Sequence, residues 1–109
     1  MNRPWGQWEV LKEEPTRKLK LLKVKPHSSL SMQRHQHRSE SWYVVEGEGY
    51  VVLHSVKFRL QKGDSIDIDV MEWHKLVNDT DNDLIIFEVQ EGERCVEEDI
   101  ERKEDEDDS

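Results

Sequence analysis

Apolar and polar residues alternate in short runs along most of this chain, and apart from the acidic last stretch no extended segment has the apolar spacing of a helix. A period of two belongs to a backbone whose successive side chains point to opposite faces, so the pattern predicts β-strands that each bury one face. "KLKLLKVK" (18–25) alternates Lys with Leu or Val, with a slip at Leu21-Leu22 that a bulge would absorb. "LSMQRHQH" (30–37) sets Leu30 and Met32 on one face and Ser31, Gln33, His35 and His37 on the other. "SWYVVEG" (41–47) and "YVVLHSVKFRL" (50–60) are rich in β-branched and aromatic residues, and "EGEG" between them marks a turn. After a second turn at "KGD" (62–64) come "SIDIDV", then "HKLVN" and "DLIIFEVQEG" on either side of the polar loop 78–83. Short strands at this spacing predict an all-β sandwich or barrel.

Length and charge bound what such a barrel can be. The 109 residues make one domain, and with 38% charged against 34% hydrophobic residues its core must be compact. The net charge of −9 sits mostly in residues 97–109, where nine acids face Arg102 and Lys103 for a net −7. We therefore divide the chain into a barrel with an N-terminal arm, 1–96, and a solvated acidic tail, 97–109. That tail would repel phosphates, so nucleic-acid binding is not expected. No apolar run approaches the roughly 18 residues of a membrane span. "MNRPWGQWEV" has no signal-peptide core, and the lone Cys95 cannot form an internal disulfide. Together these predict a reducing, cytoplasmic setting with no membrane partner.

One stretch carries chemistry. In "HQHRSESWYVVEG" (35–47) His35 and His37 share a strand face with Gln33, a turn at Arg38-Ser39 reverses the chain, and Glu40 opens the next strand. His74 opens a later one. Imidazoles and a carboxylate converging from neighbouring strands suit a divalent first-row metal, and the alternative is a surface pair of histidines.

The wider spacing resembles the cupin family. Its second motif (Gly, five residues, Pro-x-Gly, two residues, His, three residues, Asn) is matched by Gly63, His74 and Asn78, with Asp69 and Met71 in place of the Pro and the second Gly. In the first motif Glu40 and Gly47 have the required spacing. A gap-free register then puts Gln33 and His35 at the His-x-His positions and His27 at the leading Gly, and a shortened register uses His35 and His37. Within the cupins, "RPWG" (3–6), "LSMQRHQHRSESW" (30–42) and "EEDIER" (97–102) are similar to the C-terminal domain of type II mannose-6-phosphate isomerases, which are often fused to a guanylyltransferase. Gln36 stands where a third His is frequent, and no Gly-rich phosphate loop precedes the barrel, so guanylyl transfer is not expected.

The resemblance implies an antiparallel double-stranded β-helix, a jelly-roll barrel. It implies a divalent metal (zinc, manganese, cobalt, nickel or iron) on His35, Glu40 and His74, completed by Gln33 or His37. It implies interconversion of mannose 6-phosphate and fructose 6-phosphate, with His37 moving the proton in the gap-free register and Arg38 either gripping the phosphate or solvated in its turn. Trp42 lines the pocket or fills the core. A cupin that binds a metabolite without turnover and a cupin oxygenase are the alternatives. A homodimer is also implied, and an arm burying Trp5 and Trp8 against a neighbour would give it a physical motive, unless the arm folds back on its own barrel. His27 and His54 are expected at the surface, Lys18, Lys20, Lys23 and Lys25 on a solvated strand face, and Cys95 outside the chemistry.

Overall fold

A computed structural model describes residues 2–103 and contains only strands and turns. Its elements are β1 (Asn2–Arg3), β2 (Gly6–Glu14), β3 (Arg17–Val24), β4 (Ser28–Ser29), β5 (Met32–Arg34), β6 (Arg38–Glu46), β7 (Glu48–Leu53), β8 (Val56–Gln61), β9 (Ser65–Ile68), β10 (His74–Asn78), β11 (Leu84–Gly92) and β12 (Glu101–Lys103). One sheet runs β1-β2-β3-β11-β6-β9 and the other β12-β5-β10-β7-β8, with β4 beside β10; every pairing is antiparallel. This is the expected double-stranded β-helix. Among the described residues no helix is long and apolar enough to cross a membrane.

Alternation fills the space between the sheets. Leu22, Val24, Val44, Leu84 and Ile86 point in from one sheet and Val51, Leu53, Leu60 and Leu76 from the other. Each such side chain removed from water stabilises the fold by about 1.5–3 kcal/mol. The motif residue Asn78 is fully buried at this end. Its Nδ2 donates to the carbonyls of Val24 (3.0 Å) and Asn82 (2.7 Å), and its Oδ1 accepts from the Thr80 amide (3.0 Å) and hydroxyl (2.8 Å). The 78–83 loop is thereby tied to β3. Gly47, the motif glycine, has φ +82°, and a Cβ there would lie 2.3 Å from the Asp83 carbonyl oxygen. Only glycine satisfies both conditions.

Several expectations change. Residues 50–60 are not one strand, because His54 and Ser55 both take positive φ (51° and 65°) and close a two-residue hairpin between β7 and β8. No bulge occurs at Leu21-Leu22. β3 runs in continuous register along β11, the one irregularity against β2 falling in β2 at Val10–Lys12, and its strict alternation puts Lys18 and Lys20 inside, 3% and 5% exposed, while Lys23 faces out. The solvated lysine face is therefore half wrong. The N-terminal arm is β2, paired along β3, with Trp5 and Trp8 packed on the chain's own core. The boundary expected at 97 also moves: Glu97 and Asp99 make contacts inside the barrel mouth and β12 pairs with β5, leaving only 104–109 of the acidic stretch, which lie outside the described residues.

Candidate metal centre

His35, Glu40 and His74 come together. All three are buried, and one ligand atom of each lies within 4.8 Å of the other two. Glu40 is placed by the inward phase of β6, and His74 by the first position of β10, opposite Gln33 on β5. His35 lies just beyond the end of β5. Its carbonyl accepts from the Met71 amide at 2.7 Å, which holds the two histidine segments side by side, with ring centroids 5.3 Å apart.

The donor set suits a metal on the structure's own terms. His74 Nδ1 lies 2.8 Å from the Glu72 carbonyl oxygen, so it carries the proton and leaves Nε2 as a lone pair. His35 Nε2 is buried with no hydrogen-bond partner. Both rings are neutral. Burial, then the Arg38 charge, then His74 hold His35 down to about 3, and burial lowers His74. An unpartnered buried nitrogen is costly unless something occupies it.

Glu40 is shared. Arg38 donates to its Oε2 from Nε and from the adjacent guanidinium nitrogen, each at 3.1 Å, and the Trp42 indole N–H donates to its Oε1 at 3.0 Å. Arg38 is no turn residue: it opens β6, is 5% exposed, and gives its remaining fork to the Val96 carbonyl at 3.0 Å. Trp42 takes the core-filling role. It is 2% exposed in the core, sits edge-on to His74, and forms a wall of the site.

His37 stays outside. The Asp99 carboxylate accepts from the Gln36 and His37 amides at 2.8 and 2.9 Å, which bends the chain between the two histidines and breaks the alternation. The His37 ring then meets Glu93 at Nδ1 and Arg94 at Nε2, 3.0 Å away. Gln33 faces the cavity beside Glu40, with its amide nitrogen 3.2 Å from the Ser31 carbonyl. This arrangement favours the gap-free register. His27 and His54 are at the surface, on Asp81 and Glu72. Cys95 is buried, and burial pushes its thiol up, away from reactivity.

The sequence reading missed Glu88 and Gln90. In β11 they continue the inward face of Leu84 and Ile86, and that phase was the available signal. Glu88 is opposite Trp42 across β6 and accepts from its indole at 3.2 Å, and from Gln90 at 2.8 Å. Burial, then the Glu40 charge, push the Glu88 carboxyl up to about 7. Lys20 and Lys18 flank the pair and share Glu97 at 2.8 and 3.2 Å. Two buried carboxyls, Glu40 and Glu88, thus line the cavity, and Glu40 also belongs to the cluster with His35 and His74 that could hold a metal ion.

The family model "Mannose-6-phosphate isomerase C-terminal" matches residues 1–105. The chain is 39% identical over 103 residues to the alginate biosynthesis protein AlgA of Pseudomonas aeruginosa, covering 94% of this chain and 21% of that protein. It is 35% identical over 98 residues to a mannose-1-phosphate guanylyltransferase of Klebsiella pneumoniae, covering 90% and 21%. It thus spans about a fifth of the length of the curated relatives it matches. A double-stranded β-helix protein from Klebsiella pneumoniae superposes with a TM-score of 0.77 at 18% identity, covering 88% of this chain and 82% of that one.

Proposed function

The chain belongs to the mannose-6-phosphate isomerase C-terminal family, and from that premise we propose that its barrel interconverts mannose 6-phosphate and fructose 6-phosphate. The observation that carries this reading is the convergence of His35, Glu40 and His74, with the His35 Nε2 unpartnered, next to a second buried carboxyl at Glu88.

His35, Glu40 and His74, with the side-chain oxygen of Gln33, would hold a divalent ion (zinc, manganese, cobalt, nickel or iron). Such an ion supplies an electrophile for the sugar oxygens at C1 and C2. Glu88 replaces His37 as the group that carries the proton. It takes the proton from C2 while that C–H pair forms the C1–C2 double bond and the C1 oxygen is protonated. Loss of the proton on the C2 oxygen then re-forms a carbonyl at C2, and Glu88 returns its proton to C1. A carboxyl poised near 7 can do both at neutral pH. Trp42 fixes the two carboxyl groups relative to each other, and Arg38 orients Glu40. A homodimer and a cytoplasmic setting belong to the same proposal. Trp5 and Trp8 are half-buried against the chain's own core, which leaves part of each indole for a neighbour, and the free, buried Cys95 supports a reducing compartment.

The guanidinium lying on Glu40 favours a second reading, phosphosugar binding without turnover, because it competes with a cation for the same oxygen. The test is to strip the chain, reload it with each ion, and assay fructose 6-phosphate formation. Turnover that falls by about 10²-fold or more in Glu88→Gln and survives in His37→Ala supports the isomerase. Binding of mannose 6-phosphate without turnover, whatever the ion, selects the second reading.

A further inference from the structure

The cavity beside Glu40 and Glu88 is walled by four cations, Arg3, Lys20, Arg38 and Arg102, against three carboxylates, Glu40, Glu88 and Glu97, in a chain whose net charge is −9. The sign is inverted just where a ligand would enter. Two of the cations are spent internally: Lys20 lies 2.8 Å from Glu97, and Arg38 lies 3.1 Å from Glu40 and also serves the Val96 carbonyl. Neither Arg3 nor Arg102 has an ion pair or side-chain hydrogen bond among the described residues.

The two arginines come from opposite sheets. Arg3 is on β1, at the edge of the first sheet, and Arg102 is on β12, at the edge of the second. Arg102 is opposite Gln33, which is opposite His74, so one row across three strands joins the mouth to the floor. The terminal strands that looked like an arm and a tail thus each deliver to the same opening one guanidinium with no ion pair among the described residues. Trp5 and Trp8 form the wall beside them.

We propose that Arg3 and Arg102 form a two-armed clamp for a phosphate monoester, holding the phosphate of a phosphosugar at the mouth while its carbon chain reaches toward Glu40. The identity of the sugar rests on the isomerase reading; the anion clamp rests on the placement of the two arginines at one cavity, neither with an ion pair among the described residues. It moves the phosphate-binding role from Arg38, whose donors are committed to Glu40 and Val96, to residues at the two ends of the chain. A guanidinium presents parallel N–H donors that match phosphate oxygens, and a site with two of them distinguishes a dianion from a neutral sugar.

Isothermal titration with mannose 6-phosphate, inorganic phosphate and mannose tests the clamp without any turnover. Binding of mannose 6-phosphate should weaken about tenfold in Arg3→Gln or Arg102→Gln, further in the double variant, and with rising salt, while mannose binding is unaffected. Arg59→Gln, on the outer Glu48 and Asp79 pairs, is the control and should leave affinity unchanged. Circular dichroism melting confirms that each variant is folded. Full affinity for mannose 6-phosphate in the double variant overturns the clamp, as does a parent chain that binds neither phosphate ligand. Arginine-dependent phosphate binding in a chain that never isomerises keeps the clamp and removes the isomerase. Isomerisation indifferent to both arginines does the reverse.

Discussion

The two ends of the barrel interior are equally dry and are built on opposite principles. At one end Val24, Leu84, Val51 and Leu76 pack with exposures of 0–1%, and the few polar groups, such as Asn78, are fully bonded. At the other end Lys18, Lys20, Glu40, Glu88, Gln90, His35 and His74 are nearly as buried, but charge faces charge, and His35 Nε2 and Gln90 Oε1 have no partner. The same strands, β3, β6 and β11, cross both ends. The first end stabilises the fold through area removed from water. The second is held by mutual pairing, which offsets desolvation only while every partner is present. The proposed site lies in the half whose stability is conditional.

Removing a partner should therefore break the polar end hardest. Glu40→Ala leaves Arg38 buried and uncompensated, and denaturant unfolding should show a loss of about 3–5 kcal/mol that no added metal restores. Truncation at the apolar end should cost slightly less and be featureless. Ile86→Ala is expected to lose about 2–5 kcal/mol, by the same amount at every pH and metal concentration. If the Ile86→Ala loss varied with metal, the two ends would not be independent.

Acid sharpens the contrast more gently. Unfolded histidine titrates at 6.5, but folded His35 only near 3 and His74 below its ordinary value, so the unfolded chain takes up protons first. Their contribution is full above pH 6.5 and is lost as the pH falls. Glu88 has the opposite sign. It is held near 7 against 4.5 unfolded, so its contribution is present below 4.5 and lost as the pH rises through 7. Between 6.5 and 4.5 His35 and Glu88 offset each other, and the lowered His74 leaves a net fall in stability on acidification of at most about 1.4 kcal/mol per pH unit. Glu88→Gln removes the opposing group and should steepen that slope by about 1.4 kcal/mol per pH unit; an unchanged slope would show that Glu88 is not protonated ahead of its unfolded value.

Much of this arrangement could be read along the chain. The spacing from Glu40 to Gly47 and from Gly63 through His74 to Asn78 located the triad, because each segment is local and the backbone repeats itself. Alternation sorts residues into two faces but does not name the inner one. Lys18 and Lys20 were therefore assigned to solvent, although Leu22 and Val24 share their face, and Glu88 and Gln90 were overlooked in a strand that looked apolar at every other position. What lets such lysines turn inward is Glu97, almost 80 residues away, which pairs with both, while Glu13 also pairs with Lys18. His37 was lost for a similar reason. The carboxylate that bends its backbone outward belongs to Asp99, in a segment whose composition reads as a solvated tail. Long-range charge pairing built the polar end, and it leaves no periodic trace.

The central claim is that the conditional half holds a metal on His35, Glu40 and His74, and metal content by calorimetry and elemental analysis tests it most directly. The parent chain should bind one divalent ion, and its affinity should hold below pH 6.5 and fall only at more acid pH, because burial keeps His35 neutral down to about 3 and lowers His74 below its ordinary value. His74→Ala should abolish binding, Gln33→Ala should weaken it, and His37→Ala and His54→Ala should leave it intact. Retention of a stoichiometric ion with His35 and His74 both replaced would contradict the account.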